Sequence, residues 1–212
     1  MVNTADQRNE PAIGVDVITT KHGSNVVFRN YIVERPAHSK TLRGVEAVLD
    51  ITITLSRPVR EVWPVFKDFN LWMNRFGYAW DGLPADNENH YVYLGNTRSS
   101  NNLKYGSEGS KTKYVVRKVI PEQLMYWDSL PVPLVDKDGV WTGHNLVGMQ
   151  EANGQTRLSI FMEHTWYSET MTVEELRAEA RWAMFDAVLA FWRDYFIPDL
   201  ISLLETGRVV EV

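Results

Sequence analysis

The segment from Thr172 to about Leu204 constrains this chain more than any other. It opens Thr172-Val173-Glu174-Glu175, a capping box in which the Thr172 hydroxyl accepts from the Glu175 N–H while the Glu175 carboxylate reaches back to the cap. Leu176, Ala180, Ala183, Ala187, Phe191 and Tyr195 then recur at three- and four-residue steps. Met184 and Val188 widen that stripe, and Glu174, Arg177, Glu179 and Asp186 lie off it. The spacing predicts one amphipathic helix of about six turns. Pro198 is expected to bend or end it near Phe196, and Gly207 to close it. A helix of this length with one apolar face needs a broad apolar surface to lie on.

That surface is legible upstream. Val45, Ala47, Leu49, Ile51, Ile53 and Leu55 alternate with Glu46, Asp50, Thr52 and Thr54, the pattern of a long half-buried strand. Pro58 follows at a helix start, where its missing N–H costs nothing. Short helices are predicted over 59–68 (apolar Val62, Trp63, Val65, Phe66) and 69–76 (apolar Leu71, Trp72, Phe76). Strands are predicted over 90–94, 111–120, 123–130, 144–151 and 155–167. Pro121-Glu122 marks a tight turn, and Asn153-Gly154 is a strong two-residue hairpin signal. The Gly-, Pro-, Ser- and Asn-rich stretches 81–89, 95–110 and 131–142 read as loops. Residues 1–12 read as a polar tail, and residues 13–44 as an extension along the sheet edge or rim, with Val26, Phe28, Tyr31 and Val33 strand-like. The expected division is a tail and extension over 1–44 and a single ligand-binding domain over 45–207, of α+β class.

Composition removes several function classes. With a net charge of −5 and no basic run, nucleic acid is not the expected partner. No cysteine occurs, so a thiolate nucleophile, a disulfide and a cysteine metal site are excluded. No two histidines fall at metal-ligand spacing with a carboxylate, and no metal or cofactor is expected. No apolar run is long enough for a membrane span, and the polar start lacks a signal-peptide pattern; a cytoplasmic location is the expectation. Neither a phosphate-cradling glycine loop nor a Gly-Xaa-Ser-Xaa-Gly elbow occurs. Eight Trp, nine Tyr and eight Phe suit either a thick core or a site for a flat apolar ligand.

Candidate chemistry lies on the later strands. In 155–167, Leu158, Ile160, Met162, His164 and Trp166 share one face, taken as facing a cavity, while Ser159, Phe161, Glu163, Thr165 and Tyr167 share the other. His164 is then a polar group among apolar ones, suited to general acid–base work or simply to a hydrogen-bonded place in the core. A one-residue slip would exchange it for Glu163. Tyr126 and Asp128 share a face of 123–130; in a dry pocket the carboxyl would be raised and able to protonate a leaving hydroxyl, whereas at a strand end it is a solvated turn residue. Trp72, Phe76 and Trp141 (the last in a loop) are the expected mouth residues. Met162, Trp166, Ala183, Ala187 and Phe191 are the expected wall, the alanines leaving room beneath the helix.

Three stretches carry a resemblance. They are the strand 45–55 running into Ser56-Arg57-Pro58-Val59-Arg60-Glu61-Val62-Trp63, the turn Val119-Ile120-Pro121-Glu122-Gln123-Leu124, and Thr156-Arg157-Leu158-Ser159-Ile160 followed by the amphipathic helix. Together they resemble the helix-grip fold of the SRPBCC superfamily, which includes START-like lipid-transfer domains, plant allergens and polyketide cyclase/dehydrase-type proteins. Residues 1–44 and the 95–110 stretch depart from the minimal pattern. The resemblance implies a curved antiparallel sheet around a long C-terminal helix, two short helices after the first main strand, and a hollow for a hydrophobic small molecule, aromatic or polyketide/isoprenoid-like. It leaves two classes open: a cofactor-free cyclase or dehydratase using His164, Tyr126, Asp128 or Glu163, and a non-catalytic carrier or sensor. A protein-interaction module using the extension and the exposed helix face is the third, and the extension with the edge strands offers a surface for a homodimer.

Overall fold

In a computed structural model of the chain, the described residues are 14–19, 25–35, 42–67, 78–81, 91–96, 111–134, 136–189 and 192–208. Their strands are β1 (Gly14–Thr19), β2 (Asn25–Arg35), β3 (Arg43–Leu55), β4 (Tyr78–Asp81), β5 (Tyr91–Asn96), β6 (Lys111–Ile120), β7 (Leu124–Pro133), β8 (Val140–Ala152) and β9 (Gln155–Ser168). They form one antiparallel sheet in the order β1-β2-β3-β9-β8-β7-β6-β5-β4. The sheet is curved and unclosed. Residues 14–19 and 25–35, within the extension read from sequence as lying along the sheet edge or rim, supply its first two strands, β2 pairing with β3 from Val26↔Ile53 to Arg35↔Gly44. β4 was not anticipated.

The predicted alternation sets the core. Val45, Ala47, Leu49, Ile51, Ile53 and Leu55 are all buried. Opposite them β9 presents Trp166, His164, Met162, Ile160 and Leu158 in register. The β8–β9 hairpin turns at Asn153 and Gly154 with φ of 53° and 72°, the doubly positive geometry that Asn-Gly favours. The turn therefore dictates every cross-strand pair back to Val140↔Tyr167. Transverse rows result on the buried face: Val132–Trp141–Trp166–Val45, then Ser129–Gly143–His164–Ala47, then Trp127–Asn145–Met162–Leu49.

Residues 131–142, expected as a loop, are strand at both ends, with the turn confined between Pro133 and Val140. β7 continues to Pro133 and β8 starts at Val140, with a register shift between Ser129 and Val132. Proline offers no ladder N–H; the irregularity lets the strand pass Pro131 and resume pairing at Val132↔Trp141. Trp141 is accordingly a buried strand residue and not a loop residue at a mouth.

Helix α1 (Val59–Lys67) follows β3 and buries Val62, Trp63 and Phe66. The second short helix predicted over 69–76, the stretch 82–90, residues 97–110 and the 1–12 tail lie outside the described residues. The C-terminal segment starts as α2 (Val173–Arg181) with the full capping box: Glu175 N donates to Thr172 Oγ1 at 3.2 Å and Thr172 N to Glu175 Oε2 at 2.7 Å. Such a cap is worth about 1 kcal/mol. Arg43 ties this start to the sheet, donating to Met171 O at 2.9 Å.

The expectation of regular α-helix from Thr172 to the break near Phe196 is corrected. After Arg181 the backbone widens into π-type turns over Trp182–Leu189 and again over Trp192–Phe196, before α3 (Ile197–Thr206). A wider turn advances the inward face by more residues per turn. The buried positions include Leu176, Ala180, Ala183 and Met184 of the predicted stripe, and beyond them Leu189, Trp192 and Phe196. The side chain of Tyr195 lies outside the described residues. The side chain of Ala187 and all of Phe191 lie outside the described residues. Pro198 falls in the first turn of α3, where no N–H is needed, so the change of helix type coincides with the expected break. Gly207 ends α3 with φ 69°, as a left-handed C-cap requires. α2 packs on β3 and β9, and α3 on α1. Phe196 meets Phe66 edge-on at 5.8 Å and Trp192 at 4.3 Å between ring centroids. Each such ring removed from water contributes roughly 1.5–3 kcal/mol.

Candidate functional site

Two polar clusters sit back to back on β7, β8 and β9, one on each face of the sheet. The strand alternation separates them: buried His164 follows half-buried Glu163, and half-buried Asp128 follows buried Trp127.

The inner cluster is built on His164, which is 6% exposed and lies on the face shared with the core. Its ring occupies the space over Gly143, its cross-strand partner. A Cβ at Gly143 would come within 2.1 Å of His164 Cδ2 and 2.6 Å of Nε2. The ring stacks on Trp141 at 5.1 Å with planes 23° apart, and Trp166 lies tilted at 6.1 Å. His164 Nε2 and Asn145 Oδ1 are 3.1 Å apart, and Asn145 Nδ2 donates to Trp127 O at 3.5 Å. A backbone carbonyl only accepts, so the Asn145 amide nitrogen must face Trp127. Asn145 Oδ1 then faces the imidazole, and His164 Nε2 carries the proton. Ser129, at the other end of the same row, donates from Oγ to Gly143 O at 3.3 Å. Burial, and after it the charge of His144, pushes the His164 imidazole down to about 3. It is therefore neutral at neutral pH, with its lone pair on Nδ1.

The outer cluster gathers Tyr126 and Asp128 from β7, His144 from β8 and Arg117 from β6. The β6–β7 register shifts between Val116 and Lys118, which leaves Arg117 as the bulged residue. Its Nε donates to Asp128 Oδ2 at 2.7 Å. His144 Nδ1 lies 2.7 Å from Asp128 Oδ1 and 3.2 Å from the Tyr126 hydroxyl. Glu163 is the cross-strand neighbour of His144 on this face. Burial alone would raise the Asp128 carboxyl, but hydrogen bonds from His144, Arg117 and Tyr126 outweigh it and hold the group below its usual range. Burial and the hydrogen bond to Asp128 push the Tyr126 phenol up to about 12. The raised carboxylic acid in a dry pocket, entertained from sequence, is thus reversed: Asp128 is an ionised acceptor on the outer face. Replacing Asp128 by Asn should bring the Tyr126 phenol back toward 10. Carbon-13 tyrosine spectra, with Tyr126 assigned through Tyr126→Phe, read this directly; an unmoved titration would break the link.

The four acid–base residues singled out in sequence therefore divide, His164 inside and Tyr126, Asp128 and Glu163 outside. Of the expected wall, Met162, Trp166 and Ala183 are buried with the core, and Trp141 joins them by stacking on His164. Trp72, Phe76 and Phe191 lie outside the described residues. Asn145 and Gly143 were not singled out as partners of His164, although counting back from the Asn153-Gly154 turn puts Gly143 opposite His164 and Asn145 two pairs nearer the turn, on the same face. Among the described residues, no group of three or more His, Asp or Glu is arranged to hold a metal ion, and no helix is long and apolar enough to cross a membrane.

The curved antiparallel sheet around C-terminal helices, with a short helix inserted after β3, is the α+β architecture that the sequence resemblance implies. No protein-family model and no curated protein matches the chain. Solved structures similar to it include CalU16 from Micromonospora echinospora, 14% identical over 92% of this chain and 92% of that one, TM-score 0.41. Truncated norcoclaurine synthase from Thalictrum flavum is 12% identical over 78% of this chain and 96% of that one, TM-score 0.48. Protein CV1439 from Chromobacterium violaceum is 14% identical over 74% of this chain and 96% of that one, TM-score 0.46.

Proposed function

We propose that this protein binds a hydrophobic small molecule, aromatic or polyketide/isoprenoid-like, between the buried face of the sheet and the C-terminal helix. The observation that carries the reading is the neutral His164–Asn145 pair, buried among Trp127, Trp141 and Trp166. A core needs no such pair, since burying polar groups costs free energy that an apolar row would avoid. A binding site does need a few fixed polar atoms among apolar walls. Small side chains on both layers support the reading: Ala47 beside His164 on the sheet, and Ala180 and Ala183 on the helical segment.

Binding without catalysis is the better supported form. General acid–base work near neutral pH wants a group poised near that pH, and an imidazole pushed down to about 3 is a weak base that carries no acidic imidazolium proton at neutral pH. The cyclisation or dehydration reading has lost its second group as well, since Tyr126, Asp128 and Glu163 belong to the opposite face. The test is direct. Purified protein is extracted with organic solvent for mass spectrometry, and stripped protein is titrated with the neutral fluorophore N-phenyl-1-naphthylamine. A co-purifying apolar compound, or saturable micromolar binding with energy transfer from tryptophan, is the expected result. An empty extract together with no saturable binding would end the proposal.

A further inference from the structure

We infer that His164 Nδ1 is the docking atom for the ligand, and that the ligand presents to it an uncharged hydroxyl (phenol, enol or alcohol). This rests on the binding reading above and names the chemical class for that site.

The tautomer argument assigns the proton to Nε2 and leaves Nδ1 as an acceptor. Among the described residues Nδ1 has no hydrogen-bond partner, whereas the neighbouring polar side chains have theirs: Asn145 bonds to Trp127 O and His164, and Ser129 to Gly143 O. The ring atoms nearest Gly143 are Cδ2, Nε2 and Cγ, so Nδ1 and Cε1 form the far edge of the ring. The ring cannot flip to hide that edge without surrendering the Asn145 bond. A buried acceptor left without a donor is costly, and water or a ligand must complete it.

The surroundings choose among donors. The buried residues of this row and its two neighbours on β3, β7, β8 and β9 carry no formal charge. A carboxylate would meet a lone pair and no cation there. An ammonium would find the acceptor but no carboxylate to offset its loss of water. A neutral hydroxyl meets neither obstacle, and its apolar body falls against Trp141 and Trp166.

The experiment compares three probes of one shape on the full chain at neutral pH, by calorimetry: naphthol, its methyl ether and the naphthoate anion. Naphthol should bind roughly three- to tenfold more tightly than the methyl ether, the range one neutral hydrogen bond supplies, and naphthoate should bind most weakly. The nitrogen-15 resonance of His164 Nδ1 should move with naphthol and not with the ether. His164→Phe should equalise naphthol and ether; the wild-type comparison stands even if that variant does not fold. Equal affinity of naphthol and ether, or a preference for naphthoate, would overturn the assignment while leaving hydrophobic binding intact. Failure of all three probes to bind would defeat the binding reading itself, and this assignment with it.

Discussion

Replacing Gly143 with alanine is expected to destabilise the protein by about 3 kcal/mol, as overpacking at a buried, filled position does. The added methyl would lie 2.1 Å from His164 Cδ2, so the imidazole must leave its place. It cannot move alone. Displacement breaks the 3.1 Å contact with Asn145 and the stacking on Trp141, and a buried amide oxygen then loses its donor. The two residues should therefore be coupled. In a Gly143→Ala background, His164→Ala should cost little or restore stability, giving a coupling of about 1–3 kcal/mol in a double-mutant cycle measured by denaturant unfolding. Additive effects of the two substitutions would mean that Gly143 is not the floor of the imidazole site.

The second large effect is on acid stability. His164 titrates at an ordinary 6.5 when unfolded and at about 3 when folded. Between those values the unfolded chain binds the extra proton, so stability falls as pH falls. Above about pH 6.5 the contribution is fully present; by pH 5 about 2 kcal/mol should be gone, and the loss continues until the folded group itself titrates. Asp128 adds to acid sensitivity with the same sign, since its folded carboxyl is also depressed, but in a lower window beneath its ordinary value of 3.8. His164→Gln separates the two. Its unfolding free energy should lack the slope between pH 6.5 and 5 and keep the steeper loss at lower pH. Parallel curves for wild type and His164→Gln would show that the imidazole is not buried as a neutral group.

Much of this architecture was legible because its signals are short-range. The period-two alternation of 45–55 and 155–167 announced which side chains share a face. Asn153-Gly154 announced the hairpin and, through its two-residue length, the register of β8 on β9. Thr172 and Glu175 marked the start of the C-terminal segment, and Gly207 its end. The misreadings have equally specific causes. Pro131 and Pro133 argued against a strand, and a register shift allowed one. The three- and four-residue steps through Ala187, Phe191 and Tyr195 fit an α-helix; the backbone instead takes widened turns after Arg181 and buries Leu189, Trp192 and Phe196. A hydrogen-bond step of four or of five leaves nearly the same apolar pattern over a few turns, so packing chooses between them.

The site divides along the same line. Sequence alone determined that His164 shares a face with Met162 and Trp166, and that Tyr126 shares one with Asp128, because alternation along a strand is a property of the backbone. Tertiary structure decided which of those faces is dry. It also aimed Arg117 at Asp128 from a bulge, and it oriented the Asn145 amide by a carbonyl on β7, leaving the His164 proton on Nε2. These outcomes depend on desolvation and on hydrogen-bond direction between strands that the chain brings together only when the sheet closes over its helix, and no local pattern encodes them.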